Sequence, residues 1–553
     1  MSAAVTATTA EYAPRSGGDR QLAGTGALVR LALRRDRITM PVWIYVVALT
    51  VVTMPKTLEG LYDTDAERAG VLDTMRTNSS LRALYGPALD DSLGGLTVWR
   101  VGAYAAVFAA AMSLLIVVRH TRDEEESGRQ EMVSAAMVGR RAPLTAALLT
   151  ALIANATIAL FITVGMAVTA GGGLAGALAL GLATAGAGMV FATMAAIVAQ
   201  FTESARLARG ATAGLLGVAF VLRAAGDAGS DGGTSQAFGS GGGSSVLTWL
   251  SPIGWLENTR AYAGERWWVL LLFAAAVLAQ GAAAYVLAGR RDIGMSFLPS
   301  RPGPARGRLG SAGALAWRLQ RGSVLGWSLA FLASGAALGG VTNGATDLVG
   351  GSADTREIIE RMGGQSGLTD AFLAAMVGML GMVAALYVVQ AVLRMHAEET
   401  GQRAEPVLTG AVGRLRWAAG HLVIAFGGAV LIMLLGGLGL AAGYGHDLGP
   451  ILAACLVQLP AVWVLGAVAA LLYGLAPQAA PAGWGVAGAA LLLGWLGPAL
   501  KLPQAVMNLS PFGHLPKLPG GEMAWPPVLV LTGLAAVLVA AGLAALRRRD
   551  LSN

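Results

Sequence analysis

The sequence has few charged side chains for its length and almost no cysteine. Among its 553 residues, 13% are charged and 55% are hydrophobic. Soluble domains carry roughly twice that share of charge, so the composition excludes a string of soluble domains and is typical of a polytopic helical membrane protein. The single cysteine, Cys455, lies within an apolar run. It excludes a disulfide framework and a cysteine-based zinc site.

Two motifs that would give the chain a catalytic role are also missing. Its lysines are Lys56, Lys501 and Lys517, and none stands in the Gly-x4-Gly-Lys-Ser/Thr pattern of a P-loop. The chain therefore cannot hydrolyse ATP by the usual P-loop route. The zinc motif His-Glu-x-x-His is absent, and the histidines are scattered at the ends of apolar runs or in loops. We predict no catalytic residue and no metal site.

Acidic side chains are absent from the middle of the apolar runs. Glu203, Asp370 and Asp447 lie near the ends of such runs. A proton-coupled carrier usually needs a carboxylate within the membrane to take up and release the proton. This absence argues against a secondary carrier and predicts that the energy comes from another chain.

Apolar runs of about 20 residues, the length of a membrane-spanning helix, recur along the whole chain. They predict an all-α polytopic membrane protein with about twelve transmembrane helices. The predicted spans are residues 38–55, 98–118, 144–170, 174–200, 207–224, 267–288, 323–342, 366–393, 417–443, 449–475, 482–500 and 526–546. Glycine and proline interrupt the fifth and eleventh, which can also form re-entrant or broken helices. Arginine is dense near both ends of the chain, which predicts that both termini are cytoplasmic.

Four landmarks occur twice in the same order, which predicts an internal duplication. They are Gly-Ala-Leu before the first span of each half, a Glu-rich segment, Leu-Ser-Pro-Ile/Phe-Gly, and Arg-Arg-Asp after the last span. Six spans in each unit would make the two units tandem repeats of the same orientation. The predicted organisation is a disordered tail (1–22), a first six-span half (23–292), a cytoplasmic linker (293–312) and a second six-span half (313–553).

Each half contains one Glu-rich segment between its second and third spans. The first Glu-rich segment (residues 125–140) contains Glu125, Glu126, Gly128, Glu131, Met132 and Arg140, and the second (residues 398–414) contains Glu398, Glu399, Gly401, Glu405, Val407 and Arg414. Apolar residues between charged ends are typical of a short amphipathic helix that binds a groove on another protein. The glutamates would cap this helix or pair with arginines of the partner. An ordinary hydrophilic loop is the alternative, but the repetition favours docking.

The first segment resembles the Glu-x-Gly-x-x-Glu-x-hydrophobic segment between spans two and three of type-two ABC exporter permeases. Ser127-Gly128 and Glu131-Met132 match it directly, whereas Thr400-Gly401, Glu405 and Val407 match it with one extra residue. The fused duplication resembles the "exporter of polyketide antibiotics" branch, which includes tetronasin-type and actinobacterial multidrug efflux permeases. The repeated Leu-Ser-Pro-Ile/Phe-Gly is similar to that branch as well.

This resemblance implies a permease of the bacterial cell membrane that works with two copies of a separate ABC ATPase subunit. ATP and Mg²⁺ would bind to that partner, and the two Glu-rich segments would receive the force of ATP binding. The implied substrates are hydrophobic or amphiphilic drugs and antibiotics. Export of a lipid or a cell-envelope component is an alternative, and a secondary carrier is a weaker one. No nucleic acid is expected as a partner.

A few polar and aromatic side chains within the apolar runs are candidates for a substrate pathway. Asn155 and Gln390 either make hydrogen bonds between helices or contact the substrate. Phe191 and Tyr387 either pack in the interior or line an adaptable apolar cavity. In each case the structural role is the commoner one.

Overall fold

The computed structural model separates into two compact units, Met1–Pro302 and Gly303–Asn553. It describes residues 21–549, except for 63, 65, 71, 73–78, 136–137, 172, 230–244, 293, 299–306, 308–309, 350–367 and 500–502. The predicted disordered tail (1–22) and linker (293–312) lie largely outside the described residues. Within the described part, every regular element is a helix and no β-strand occurs.

The first unit contains thirteen α-helices in its described part. They are α1 (Thr25–Arg35), α2 (Thr39–Val52), α3 (Met54–Glu59), α4 (Ser79–Tyr85), α5 (Leu93–His120), α6 (Arg122–Glu126), α7 (Arg129–Ser134), α8 (Ala142–Thr169), α9 (Leu174–Phe201), α10 (Ala205–Ala228), α11 (Val246–Leu250), α12 (Pro252–Asn258) and α13 (Trp268–Arg290). Helix α9 lies at the centre and packs against α5, α8 and α13. Alanine and glycine dominate its buried positions, which lets neighbouring helix backbones approach closely.

The second unit contains nine α-helices in its described part, together with 3₁₀ turns at Pro477–Ala479 and Pro511–His514. The α-helices are α14 (Ala312–Val349), α15 (Leu368–Thr400), α16 (Glu405–Leu408), α17 (Arg414–Tyr444), α18 (Leu448–Val457), α19 (Leu459–Leu475), α20 (Ala482–Ala499), α21 (Gln504–Met507) and α22 (Trp525–Arg548). Its core is built from α15, α17 and α19, and α22 packs along α19.

Eleven helices in the described residues are long and apolar enough to cross a membrane. The prediction of an all-α polytopic membrane protein is therefore confirmed. Helix α20 occupies the predicted eleventh span (482–500) but is not among these eleven. The tandem arrangement of two six-helix repeats stays a prediction.

Helices α14 and α17 approach each other closely through glycines. A Cβ atom at Gly335 would overlap the carbonyl oxygen of Gly436, and one at Gly339 would overlap that of Leu440. A Cβ at Gly443 on the opposite helix would likewise overlap backbone of α14. Glycines four residues apart on each helix therefore bring the two backbones into direct contact, as in membrane helix pairs of the small-xxx-small type.

We expect Gly339→Leu to lower the thermal stability of the purified chain in detergent. The new side chain meets backbone rather than a movable side chain, so overpacking should cost about 1–3 kcal/mol. The matched control is Gly322→Leu on the same helix, where an added Cβ meets no atom within 4 Å. Unfolding followed by tryptophan fluorescence measures both, and equal unfolding temperatures for the two variants would contradict the close pairing.

Candidate functional site

The first Glu-rich segment is a helix–turn–helix at the end of α5. Helix α6 continues past His120, and the chain reverses at Gly128, whose φ of +71° lies in the left-handed region that favours glycine. Helix α7 then begins at Arg129. The backbone amide of Gly139 donates a hydrogen bond to Ala23 (2.9 Å), so the end of the segment is attached to the chain just before α1.

A half-buried carboxylate, that of Glu125, connects this segment to the end of α13. Both terminal nitrogens of Arg291 donate to the Glu125 carboxylate, each at 2.7 Å, and Arg122 forms a further ion pair with it. The backbone carbonyl of Arg291 accepts a hydrogen bond from Arg140 (2.8 Å). The two ends of the segment are therefore fixed to the residue that follows the last spanning helix of the unit. A bidentate arginine–carboxylate pair of this kind is strong and directional.

The second Glu-rich segment contains the same arrangement. Arg549 follows α22, and its two terminal nitrogens donate to Glu399 at 2.8 and 2.7 Å. The carbonyl of Arg549 accepts from Arg414 (2.6 Å), and the Tyr473 hydroxyl donates to Glu399 (2.6 Å). Burial by itself would lower the pKa of Arg549, but the hydrogen bonds and charge of Glu399 outweigh it and raise that pKa above its ordinary value. The arginine is therefore held in its charged form.

These contacts fix how the two segments correspond. Arg129 donates to Glu124 at 2.9 Å and Arg403 donates to Glu398 at 3.0 Å, five residues apart in each case. The turn residue that matches Gly128 is then Gln402, which also has a positive φ (+55°).

The sequence-based match of Gly128 with Gly401 is therefore wrong by one residue, and no extra residue separates the two copies. The repeated glycine misled the comparison because a glutamine occupies the left-handed position in the second copy, at a steric cost of about 1–2 kcal/mol. Glu131 and Glu405, like Arg140 and Arg414, already keep the corrected spacing in the sequence.

Four of the six predicted glutamates are engaged within the chain. Glu125 and Glu399 lie in the buried pairs just described, and Glu398 pairs with Arg394 at 2.6 Å. Glu126 accepts a hydrogen bond from the backbone amide of Ala205 (2.8 Å) at the start of α10. Their first role is thus to hold the segments in place.

Glu126 is itself exposed, and so are further residues of the two segments. Glu131, Met132 and Glu405 are exposed, and Val407 is half-buried. Met132 is 70% exposed, although its side chain is apolar. These residues, together with Glu126, form the surface that another protein could contact.

Sequence inspection missed the arginines that organise the site. Arg291 and Arg549 stand out in the sequence only as part of the Arg-Arg-Asp landmark after each last span. Arg122 is fully buried and donates to the backbone carbonyls of Thr202 and Met295. The signal that could have found them is the pairing of a repeated basic landmark with a repeated acidic one.

The candidate pathway residues make contacts within their own units. Asn155 is buried and donates to the Ser113 hydroxyl on α5 at 2.7 Å. Phe191 and Tyr387 are fully buried, and the Tyr387 hydroxyl donates to a backbone carbonyl of α17 (3.1 Å). Gln390 is exposed and accepts from the Trp327 indole at 2.8 Å. Their part in a substrate pathway stays a prediction.

The described residues include no group of three or more His, Cys, Asp or Glu side chains that could hold a metal ion.

Comparison with known proteins identifies the family of the chain. The multidrug efflux system permease protein Rv1217c of Mycobacterium tuberculosis is 41% identical to the chain over 537 residues, and the match covers 95% of each protein. The chain belongs to this family of multidrug efflux system permeases. A family model for the C-terminal domain of the Rv1217c permease matches residues 309–547, which lie in the second unit. The chain is a multi-pass membrane permease.

We predict that Arg291→Met loosens the first Glu-rich segment and that Arg549→Met loosens the second. Each change leaves a buried carboxylate without its bidentate partner, which is costly in a low-dielectric environment. Amide hydrogen exchange of residues 122–134 or 398–408 should accelerate at least roughly tenfold in the unit that carries the change. The neighbouring exposed arginines give matched controls, Arg290→Met and Arg548→Met. If exchange rises no more in the variants than in these controls, the pairs do not hold the segments.

Proposed function

We propose that the chain is the membrane-spanning subunit of an ATP-driven exporter of hydrophobic or amphiphilic drugs. A separate ABC ATPase binds one copy to each Glu-rich segment on the cytoplasmic side, and that partner binds ATP and Mg²⁺. The name of the Mycobacterium tuberculosis relative supports a role in multidrug efflux. The likeness of the segments to those of type-two ABC exporter permeases supports the ATPase as the source of energy.

The observation that carries the proposal is a set of arginine contacts that recurs in both units and that we call the lock. Glu125 with Arg291, and Glu399 with Arg549, join the beginning of each segment to the end of the last spanning helix of the unit. At the far end of each segment, Arg140 donates to the backbone carbonyl of Arg291, and Arg414 donates to that of Arg549. These contacts hold the segment firmly against the spanning helices, which supports a role in transmitting force.

Because of the lock, each segment moves together with the spanning helices to which it is bound. Helices α5 and α6 together, like α15, run from the segment across the hydrophobic part of the unit. A displacement of α7 or α16 is passed to these helices and to α13 or α22, because the ion pairs resist separation. Two locked segments also support a stoichiometry of two ATPase subunits for each permease, since each unit offers one exposed docking surface.

Substitutions on the exposed surfaces should remove the ATPase subunits one at a time. We expect Met132→Asp to reduce the ATPase bound to the permease from two copies to one, and Val407→Asp to do the same. The double variant should bind none and should lose drug export, because an added charge disfavours burial of an apolar docking face. Native mass spectrometry of the co-expressed complex measures the copy number.

The control is Val246→Asp, which changes an apolar side chain outside the Glu-rich segments whose exposure (69%) matches that of Met132. It should leave two ATPase copies in place. A double variant that still binds two copies would contradict docking on these segments. Failure of any ATPase to co-purify with the unchanged permease would contradict the proposed source of energy.

A further inference from the structure

An open cavity of about 380 Å³ lies beside the lock of the first unit, where α8 begins and α13 ends. Its lining includes Pro143 of α8, Gln200 of α9, Ala288 of α13 and the charged residues Arg140 and Asp292. Pockets that hold small ligands have volumes of about 300–1,000 Å³. Since α8 and α13 are both spanning helices, the cavity lies at a membrane surface.

The lock relates this cavity to the matching place in the second unit. Because Arg140 and Arg414 make the same contact, counting three residues further along each chain matches Pro143 with Trp417. Trp417 is only 3% exposed and belongs to the core of its unit. The second unit therefore has a buried indole where the first has a proline at the cavity wall.

The last spanning helices differ in the same direction. Counting back three residues from Arg291 and Arg549 matches Ala288 with Leu546. Leu546 is 2% exposed and packs in the core, whereas Ala288 is half-buried beside the cavity. Smaller side chains thus leave room in the first unit at two of the walls.

The spacing of the helices behind the cavity also differs. A Cβ atom at Gly474 would overlap the carbonyl oxygen of Gly542, so α19 and α22 meet backbone to backbone in the second unit. With the same offsets, the matching residues of the first unit are Gln200 and Ala284, and both are buried. Their side chains prevent such an approach of α9 and α13. The cavity is therefore a feature of the fold of the first unit.

The cavity offers a cation and an anion that are not paired with each other. The Arg140 guanidinium donates to the carbonyl of Arg291 at 2.8 Å and pairs with no carboxylate in the described part of the chain. The Asp292 carboxylate is exposed and makes no ion pair among the described residues. Glu125, which also lines the cavity, is already paired with Arg291. A ligand that satisfies the site thus carries one charge of each sign.

Apolar surface adjoins the cavity on its membrane side. Leu149 and Leu152 of α8 and Val286 of α13 are exposed. The hydroxyls of Thr145 and Tyr285 lie 2.7 Å apart and join the two helices next to the cavity. Long apolar chains of a ligand would therefore lie along the outer face of α8 and α13 and would not enter the helix bundle.

We propose that this cavity binds the headgroup of phosphatidylethanolamine. The phosphate accepts hydrogen bonds from the remaining N–H groups of Arg140, and the primary ammonium donates to Asp292. Pockets between spanning helices at the membrane surface bind lipid headgroups in this way. A quaternary ammonium cannot donate to Asp292, and a purely anionic headgroup leaves that carboxylate without a partner. The inference rests on the geometry of the first unit and does not depend on ATPase docking.

Lipid binding to the full chain in detergent tests the proposal. Phosphatidylethanolamine, phosphatidylcholine and phosphatidylglycerol with identical acyl chains compete at equal concentrations, and native mass spectrometry measures what remains bound. We expect phosphatidylethanolamine to bind roughly tenfold more tightly than either competitor, because it alone makes charge-assisted hydrogen bonds at both groups. Equal binding of phosphatidylethanolamine and phosphatidylcholine, or tighter binding of phosphatidylglycerol, would overturn the proposal.

A soluble compound with the same headgroup distinguishes two sources of this chemistry. Free phosphoethanolamine at the concentration of the lipid should not displace phosphatidylethanolamine, since the acyl chains add apolar contacts. Displacement at equal concentration would overturn the assignment of a lipid.

One substitution tests the role of the carboxylate. Asp292→Asn should abolish the preference for phosphatidylethanolamine over phosphatidylcholine. The matched control is Asp447→Asn, which changes an exposed acid directly before the span Leu448–Leu475 of the second unit and should keep the preference. A preference that survives Asp292→Asn contradicts the proposed contact.

A variant with a filled cavity tests the place. Pro143→Trp combined with Ala288→Leu gives the first unit the side chains of the second and should abolish the preference. Ala282→Leu, on the exposed face of α13 outside the cavity, should keep it. Unchanged amide hydrogen exchange of residues 122–134 would show that the lock is intact in the double variant. Survival of the preference in a filled cavity contradicts this location, and Asp292→Asn decides the question if the double variant does not fold.

Discussion

The ion pair between a glutamate at the end of the second spanning helix and an arginine after the last one determines how each unit presents its Glu-rich segment. Glu125 and Arg291 are 166 residues apart in sequence, and Glu399 and Arg549 are 150 apart. Each pair therefore joins the second spanning helix of its unit to the end of the last one. Because the groups are largely buried, losing one partner costs far more than the pair contributes in water. The segments are thereby fixed to the helices that they would move.

Hydropathy alone predicts most of the fold. The predicted third and fourth spans, 144–170 and 174–200, lie within a few residues of α8 and α9. A helix needs about 20 apolar residues to cross the membrane, so each span appears in the sequence as a long apolar run. The location of the candidate site was equally visible, since a repeated polar stretch between apolar runs is conspicuous. The roles of its residues were not, because sequence spacing does not show which distant arginine a carboxylate meets. Four of the six glutamates predicted to face a partner, Glu125, Glu126, Glu398 and Glu399, are instead held by their own chain.

The one-residue error in matching Gly128 with Gly401 has a similar cause. Glycine is the best residue for a left-handed turn, so a repeated glycine is a natural anchor for comparing two copies. In the second copy, however, the turn falls on Gln402, and Gly401 lies one position earlier. The carboxylate–arginine spacing is the better guide, since a shift of one residue on a helix rotates a side chain by about 100° and would break every pair in the lock.

The two units agree at the end that carries their Glu-rich segments, since an equivalent ion pair holds each segment. Under the proposed function this end is constrained in both units, because a force from a partner would have to reach the spanning helices through stiff contacts. The opposite end is free of this demand. In the first unit that end contains a buried ion cluster, in which Arg223 lies 2.6 Å from Glu257 and 2.8 Å from Asp227. Removing any one of these partners leaves a buried charge uncompensated, so the cluster stabilises the first unit only as a complete set.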